Sequence, residues 1–502
     1  MNIGRIPRDR GDGAVTVAFW AVVLAMLPAV LDQTILATAL PRIASDLGRL
    51  ADVSWVVAAY VVAAAAFAPL WGKLGDRHGR KRVLEATLAL FLAASAVCGV
   101  AQSLWMLVVA RSVQGAAGGG LMSLAQAAVG DLFSPRERGR YQGYIMAVFA
   151  VAASVGPLLG GVLVDHVSWR WVFYVNLPVG ALALIGLHVR LPSVVVEAPR
   201  TRLDLPGAGL LVAGASALML ACIWGGQRYG WGSPQIVSLL ALSGVLAAAL
   251  VARTRRLEDA IVPLSLIGNR SVALVSAALF LVTATMFSIT VFVPAFLQTT
   301  TGASPTQAGL LLIPMMVGIT LSTNVAGRLI ARTGHYKRFP MVGLALISAA
   351  LLALAAVVEH PSRVTTGVAL TLFGLGFGMV GQVLIIAVQN SVQGRQLGQA
   401  MAITGFFRAL GGAVGAAVLG AVFASHVGHV GSRTLSLAHA GRLEVISGVH
   451  TVFLVTAPIA LIALAAVLAL RELPLRGPGG PASSAQPQRQ SPGRPQHAGA
   501  TR

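Results

Sequence analysis

The stretch GKLGDRHGRKR (Gly72–Arg82) has a second copy, GRLIARTGHYK (Gly327–Lys337), 255 residues further along the chain. The same offset places GPLLG (Gly156–Gly160) on GGAVG (Gly411–Gly415), so two separate stretches repeat in one register. Such a repeat indicates two structurally equivalent halves. Each copy of the basic stretch lies between two long apolar runs, which predicts a short loop between two membrane-spanning helices.

The composition of the chain excludes a soluble globular protein. Of its 502 residues, 56% are hydrophobic and 11% are charged, whereas soluble domains contain about 25% charged residues. Apolar windows of about 20 residues, the length that crosses a bilayer, occur fourteen times along the chain. We therefore expect an all-α polytopic membrane protein with fourteen transmembrane helices.

The repeat and the apolar windows divide the chain into five parts. Two six-helix bundles are expected at 15–190 and 272–470, with two inserted transmembrane helices between them at 205–252. An N-terminal segment (1–14) precedes the first bundle. A tail rich in Pro, Gly, Ser and Gln (471–502), a composition typical of disorder, follows the second. Two inserted helices keep both halves in the same orientation across the membrane.

The net charge of +20 would favour nucleic acid as the partner of a soluble protein, but here the basic residues follow the membrane topology. With a cytoplasmic N-terminus, 28 of the 37 Lys and Arg residues fall in cytoplasmic segments and seven in external loops. This bias predicts that both termini and the tail are cytoplasmic and that nucleic acid is no partner. The excess of Arg over Lys suggests a GC-rich genome and therefore a bacterial plasma membrane.

Seven stretches between residues 15 and 470 resemble the major facilitator superfamily, and within it the fourteen-helix drug:proton antiporters. In the order and spacing typical of the family, they are LDQTILATALP (Leu31–Pro41), SWVVAAY (Ser54–Tyr60), GKLGDRHGRKR, ARSVQG (Ala110–Gly115), GPLLGG (Gly156–Gly161), WRWVFYVNLPVG (Trp169–Gly180) and FLQTTTGASPTQAG (Phe296–Gly309). The resemblance implies a major facilitator fold that exports lipophilic drugs or antibiotics in exchange for protons. The proton gradient would be the energy source, and no cofactor is expected. The resemblance also implies an antiporter helix motif made of Gly156, Pro157, Gly160 and Gly161.

Asp32 is the one acid deep within a predicted span, because the other sixteen fall in loops, tails or span ends. A carboxyl group inside the membrane is costly and marks a functional site, since burial favours its neutral form and so allows proton exchange. Arg111 lies at a similar predicted depth, roughly 10 to 12 Å at 1.5 Å per residue. We interpret the two as the proton-coupling pair; a purely structural ion pair is the alternative. The repeat offset places Phe287 opposite Asp32, so the second half has no matching acid.

Polar and aromatic residues in the spans are candidates for lining a substrate cavity: Trp55, Tyr60, Gln114, Gln298, Asn324 and Gln382. Packing between helices explains each of them equally well. Because the predicted cavity has little negative charge, we expect a small lipophilic substrate that is neutral or singly charged. The other expected partners are protons and the lipid bilayer, and we expect a monomer.

The basic loop of the first half is a candidate cytoplasmic gating loop, with the residues Gly72, Asp76, Arg77, Gly79 and Arg80. Membrane topology alone would explain its basic residues. Because its glycines allow a tight turn, we predict that Asp76 is held against a helix end or against an arginine such as Arg140.

Two other functions remain open on the sequence alone. The first is a major facilitator of the same fold that exports a specific metabolite, siderophore or amino acid instead of drugs. A polytopic membrane enzyme would need acids, histidines or metal ligands gathered at one membrane face. The sequence has only isolated ones, so we expect neither an enzyme nor a metal site.

Overall fold

The computed structural model describes residues 12–47, 50–192, 204–226, 228–257, 266, 268–301, 310–359, 363–392, 396–426 and 442–475. The helices of the first half are α1 (Asp12–Leu47), α2 (Leu50–His78), α3 (Arg80–Gly99), α4 (Leu104–Leu132), α5 (Pro135–His166), α6 (Trp171–Tyr174) and α7 (Asn176–Arg190). Two inserted helices follow, α8 (Leu205–Trp224) and α9 (Pro234–Thr254). The second half comprises α10 (Arg270–Phe287), a π-helical turn (Ser288–Phe292), α11 (Val293–Thr301), α12 (Ile313–Thr333), α13 (Arg338–Glu359), α14 (Arg363–Ser391), α15 (Leu397–His426) and α16 (Arg442–Leu468). The predicted N-terminal segment and tail lie largely outside the described residues.

Thirteen helical segments of the described chain are long and apolar enough to cross a membrane. They confirm the prediction of an all-α, multi-pass membrane protein. The remaining predicted span is α4, whose 29 residues extend about 43 Å at 1.5 Å per residue. Arg111, Gln114 and several glycines make α4 less apolar, but most of the helix is buried, chiefly against α2 and α3. Because its neighbours shield it from lipid, α4 needs little hydrophobic surface of its own.

The two halves repeat one packing scheme. In the first half α1 packs against α5 and α7, and α2 packs against α4; in the second half α10 packs against α15 and α16, and α12 against α14. The halves meet along two seams, one between α2 and α15 and one between α5 and α12. Inserted helix α8 packs on α2 and α15, and α9 packs on α8. The inserted pair therefore bridges the halves at the periphery of the bundle.

Helix packing corrects the register of the repeat in its first helix. Gly160 of α5 lies against Thr38 of α1, whereas its repeat partner in α15, Gly415, lies against Ala284 of α10. The contacted residues are 246 positions apart instead of 255, so the predicted counterpart of Asp32 is wrong by nine residues. The π-helical turn after α10 and a longer connection between α11 and α12 account for the extra residues. The counterpart of Asp32 is an alanine instead of a phenylalanine, and neither carries a charge.

The basic stretch of the first half is a helix end and not an open loop. Helix α2 continues to His78, and Gly79, with φ 90°, makes the whole turn before α3. Such a positive φ favours glycine because it has no Cβ atom. Gly72, predicted to belong to the turn, lies within α2, where its missing side chain lets the backbone of Gly398 approach. The corresponding turn of the second half is Gly334, with φ 75°.

Candidate functional site

Asp32 lies where α1, α3, α4 and α7 converge, and its exposed fraction is 0%. The Arg111 guanidinium pairs with its Oδ2 atom, and the side-chain amides of Gln114 and Asn176 donate to its Oδ1 atom at 2.9 and 3.2 Å. Ser95 Oγ accepts from the same two amides at 3.1 and 3.0 Å. We call these five residues the carboxylate network. One cation and two neutral donors compensate the carboxylate, which is what a buried charge requires.

Arg111 is held in place by α2 as well as by α4. Its Nε atom donates to the Val56 carbonyl at 3.3 Å, and its Nη1 atom donates to Gln114 Oε1 at 2.7 Å. The Tyr60 ring lies 4.3 Å from the guanidinium carbon, measured to the ring centroid, which is a cation–π contact. Gly118 of α4 leaves room for the Tyr60 hydroxyl. Helix α2 therefore contacts Arg111 through both a backbone carbonyl and an aromatic ring.

Asn176 and Ser95 are members of the network that the sequence did not single out. Asn176 is the first residue of α7, just after the break that separates α7 from α6, and Ser95 lies near the end of α3. The available signal was a polar residue within an apolar segment. That signal is weak, because polar residues in membrane helices commonly serve helix packing.

Asp76, near the end of α2, connects the two halves. Its Oδ1 and Oδ2 atoms accept hydrogen bonds from the backbone N–H groups of Gly398 and Gln399, both at 2.9 Å. These N–H groups at the start of α15 have no partner within the helix, and the helix dipole favours a carboxylate there. Arg80 holds the same carboxylate, with Nη2 3.0 Å from Oδ1. Asp76 thus lies against a helix end, whereas Arg140, the other predicted partner, bonds a tyrosine of its own helix.

The seam between α5 and α12 closes at the same end of the bundle as the Asp76 contact. We call the end with the turns at Gly79 and Gly334 the basic end. Near it, the backbones of Gly139 in α5 and Gly327 in α12 are in close contact, and Asn324 Nδ2 donates to a carbonyl of α5 at 3.4 Å. The interface between the halves is therefore closed at its basic end in this structure.

Residues 22–416 of the chain match the Major Facilitator Superfamily. The chain belongs to this family. The multidrug transporter protein MdtP of Bacillus subtilis is 33% identical to this chain over 415 residues, which are 83% of this chain and 76% of that protein. Multidrug resistance protein 3 of the same organism is 34% identical, covering 80% of this chain and 78% of that protein. An uncharacterised MFS-type transporter of Mycobacterium tuberculosis is 37% identical over 81% of this chain, which spans 59% of that relative's length.

Solved structures share the fold of this chain. The crystal structure of the human organic anion transporter MFSD10 (TETRAN) has a TM-score of 0.64 and 19% sequence identity, and the match covers 90% of this chain and 99% of that chain. The proton:xylose symporter XylE has a TM-score of 0.61 and 15% identity, with 90% and 95% covered. At these identities the likeness shows the fold alone.

The residues predicted to line a substrate cavity do not converge on one wall. Gln114 belongs to the carboxylate network, and Tyr60 packs on Arg111 of that network. Gln382 lies at the interface between the halves, where its Nε2 atom is 2.9 Å from Met146 Sδ of α5, and Asn324 lies on the α5 seam described above. The other two are in α2 and α11. Trp55 packs edge-on against a tryptophan at the end of α8, with 4.8 Å between ring centroids, and Gln298 is half-buried.

The glycines of the predicted antiporter motif form a contact surface on α5. Gly156 and Gly160 lie against Thr34 and Thr38 of α1, within two helical turns of Asp32. Helix α5 continues without a break through the motif. The same helix also contains the other two motif residues, Pro157 and Gly161. The motif therefore sets how closely α5 approaches the helix that carries Asp32.

Proposed function

We propose that the transporter is a proton-coupled antiporter that exports lipophilic drugs or antibiotics by alternating access. Relatives named multidrug transporters, at 33% and 34% identity, support drug export. The observation that carries proton coupling is the carboxylate network. In the described residues its Asp32 is the one acid in the middle of a span, and it is enclosed and paired with Arg111. Such a residue in a membrane helix is a functional site by default.

Helix α2 connects the protonation site with the closed basic end in this mechanism. A proton on Asp32 removes the negative charge that balances Arg111, so the guanidinium relaxes toward its remaining partners. One of these is the Val56 carbonyl of α2. The same helix carries Asp76, which bonds the start of α15. A displacement of α2 by Arg111 therefore acts on the contact that closes the basic end, and the proposed coupling requires this contact to open and close.

In this scheme the proton and the substrate favour different conformations of the protein. Because Asp32 has an exposed fraction of 0%, a substrate in the space between the halves does not touch it. Substrate binding and protonation each favour a different arrangement of the halves, and this difference in affinity drives exchange. We infer that the transporter performs no enzymatic reaction.

We further propose a bacterial plasma membrane location with the basic end and both termini in the cytoplasm. The support is the Lys and Arg bias of the sequence. Gly232 and His78 are exposed residues at opposite ends of the bundle, and both native cysteines are buried. An impermeant thiol reagent applied to intact cells should label Gly232→Cys and spare His78→Cys. The reverse pattern would invert the topology.

Drug susceptibility with and without a proton uncoupler tests the proposed function. The chain is expressed in a pump-deficient bacterium and compared with an empty vector across a panel of lipophilic antibiotics and dyes. We expect lower susceptibility to several compounds, and we expect the uncoupler to abolish this difference. No change for any lipophilic compound would contradict drug export. Protection that persists with the uncoupler would contradict proton coupling.

A further inference from the structure

A groove between α3 and α7 lies at the basic end of the first half. Its volume is about 570 Å³, within the range of about 300 to 1,000 Å³ that is typical of sites for small molecules. The residues that α3 contributes are spaced as one face of a helix, and they are Arg82, Glu85, Ala86 and Ala89. The opposite wall, on α7, includes Ile185, His188 and Val189.

The groove opens toward the lipid and not toward the other half. Helices α3 and α7 both belong to membrane-spanning segments, and they pack chiefly against each other and against other helices of the first half. Ile185 and Val189 are 61% and 64% exposed on the α7 wall. In a bilayer such an outward apolar surface is in contact with acyl chains. Lipid is therefore the molecule that surrounds this groove.

The groove has a polar end and an apolar floor. Arg82 is in the first turn of α3 and His188 is in the last turn of α7, so both lie at the basic end. Ala89 lies seven residues beyond Arg82, which is roughly 10 Å at 1.5 Å per residue. The hydrocarbon of one leaflet is half of a core about 30 Å thick. The groove thus places charged groups at the level of the lipid headgroups and an apolar floor along most of one leaflet.

The polar end has an excess of positive charge. Lys81 Nζ lies 4.0 Å from Glu85 Oε1 and donates to the His188 carbonyl at 2.6 Å, so Lys81 compensates the Glu85 carboxylate. His188 Nδ1 lies 3.5 Å from the same Glu85 oxygen. Arg82 is exposed, and it makes no hydrogen bond and no ion pair with the part of the chain that the structure describes. The charge of Arg82 is therefore available to an anion at the mouth of the groove.

We propose that this groove binds an anionic phospholipid, with the phosphate on Arg82 and an acyl chain along Ala86 and Ala89. A guanidinium donates two parallel hydrogen bonds to phosphate oxygens, and the small alanine side chains leave room for the chain. A zwitterionic lipid has a cation of its own beside the phosphate, so it gains less from Arg82. The site lies outside the carboxylate network and the contacts between the halves. It goes beyond the proposed export function and does not depend on it.

Lipid binding to the detergent-purified, full-length protein tests the role of the charge. Dioleoyl phosphatidylglycerol and dioleoyl phosphatidylcholine are titrated separately, and native mass spectrometry measures the bound lipid. We expect the wild-type protein to bind phosphatidylglycerol more tightly. In Arg82→Gln this preference should fall about fivefold, the effect of one basic residue near an anionic membrane surface. Arg338→Gln removes an exposed arginine at the start of α13, outside the groove, and should leave the preference unchanged.

A second pair of variants tests the apolar floor and leaves every charge in place. Ala86→Trp fills the groove, whereas Ala93→Trp adds the same side chain at an exposed position two turns further along α3, outside the groove. We expect Ala86→Trp to bind phosphatidylglycerol at least about tenfold more weakly than Ala93→Trp, as for the loss of about two CH₂ groups from apolar contact. A folding defect caused by a large side chain on α3 would appear in both variants.

Three results would overturn the lipid site. They are equal affinity of the wild-type protein for the two lipids, an unchanged preference in Arg82→Gln, and equal binding of phosphatidylglycerol by the two tryptophan variants. The last of these would mean that Arg82 attracts headgroups without the groove, or that another part of the chain fills the groove. None of the three results bears on drug export, which the susceptibility panel measures separately.

Discussion

The two basic turns of this protein are similar in sequence but are held by different parts of the molecule. In the first half, Asp76 bonds the start of α15, which belongs to the other half. In the second half, Ala331 stands at the repeat position of Asp76. The carboxylate at this turn comes instead from Glu472, which accepts hydrogen bonds from the backbone N–H groups of Tyr336 and Lys337 at 2.7 and 3.1 Å. One carboxylate joins the two halves, and the other joins the second half to its own C-terminal segment.

Further hydrogen bonds keep the second turn within its own half. Leu473 N donates to the Tyr336 hydroxyl at 3.0 Å, and Lys337 Nζ donates to the Leu468 carbonyl at 2.9 Å. Asn390 Nδ2 donates to the Leu473 carbonyl at 3.2 Å. These contacts all lie within the second half, whereas the Asp76 contact joins the two halves and has to break in the proposed alternating-access mechanism. The repeated motif therefore carries a contact between the halves in the first half and a contact within one half in the second, and the position of the acid decides which.

The largest effect on export is expected from substitution of Asp32, which has no acidic counterpart in the second half. Asp32→Asn keeps size and hydrogen bonding but binds no exchangeable proton, so proton-driven export should be abolished while the protein still reaches the membrane. Asp32→Glu should retain part of the activity. The matched control is Asp204→Asn, a buried acid that pairs with Arg253 in the inserted helices. Proton release on substrate addition, followed with a pH dye, measures coupling. If Asp32→Asn accumulates substrate at the wild-type rate, Asp32 has only a structural role.

Asp76→Asn should reduce the transport rate about tenfold, because it weakens two charge-assisted hydrogen bonds across the halves. The protein should fold normally, since Arg80 retains a bond to Asp131. Initial transport rates in proteoliposomes of equal protein content provide the measurement. Glu472→Gln serves as the control in the other turn and should transport at nearly the wild-type rate. Equal rates for both variants would show that the two turns do not differ in function.

Glu472→Gln should instead reduce stability by about 1 kcal/mol, the contribution of a partly exposed charge-assisted hydrogen bond. The reason is that its carboxylate fastens the segment after α16 to the turn before α13. Thermal unfolding of the detergent-purified protein measures the loss. An unchanged unfolding midpoint together with slower transport would reverse the roles assigned to the two carboxylates.

The smallest effect is expected from Tyr336→Phe, which removes one hydrogen bond and should cost less than about 1 kcal/mol. Burial raises the pKa of Tyr336 above its ordinary value of 10. Above about pH 10 the unfolded chain loses this proton before the folded protein does, so the contribution of Tyr336 to stability is lost as the pH rises. Unfolding midpoints between pH 8 and 11 should therefore fall more steeply in the wild-type protein than in Tyr336→Phe. Parallel curves would contradict this.

The sequence by itself determined the membrane class, the two-half organisation and the identity of the Asp32 and Arg111 pair. Each of these has a signal along the chain. About 20 apolar residues cross a bilayer, a charge within such a run is costly enough to stand out, and a repeat is visible at a constant offset. The sequence also limited Asp76 to two kinds of partner, a helix end or an arginine.

The tertiary structure alone decided which helix faces meet. It chose the start of α15 as the partner of Asp76, and it added Asn176 and Ser95 to the carboxylate network. It also placed the inserted helices across the seam between α2 and α15. The physical reason is that lipid and protein interior are both apolar. A membrane helix therefore has no amphipathic pattern that tells its inward face from its outward face, and only packing distinguishes the two.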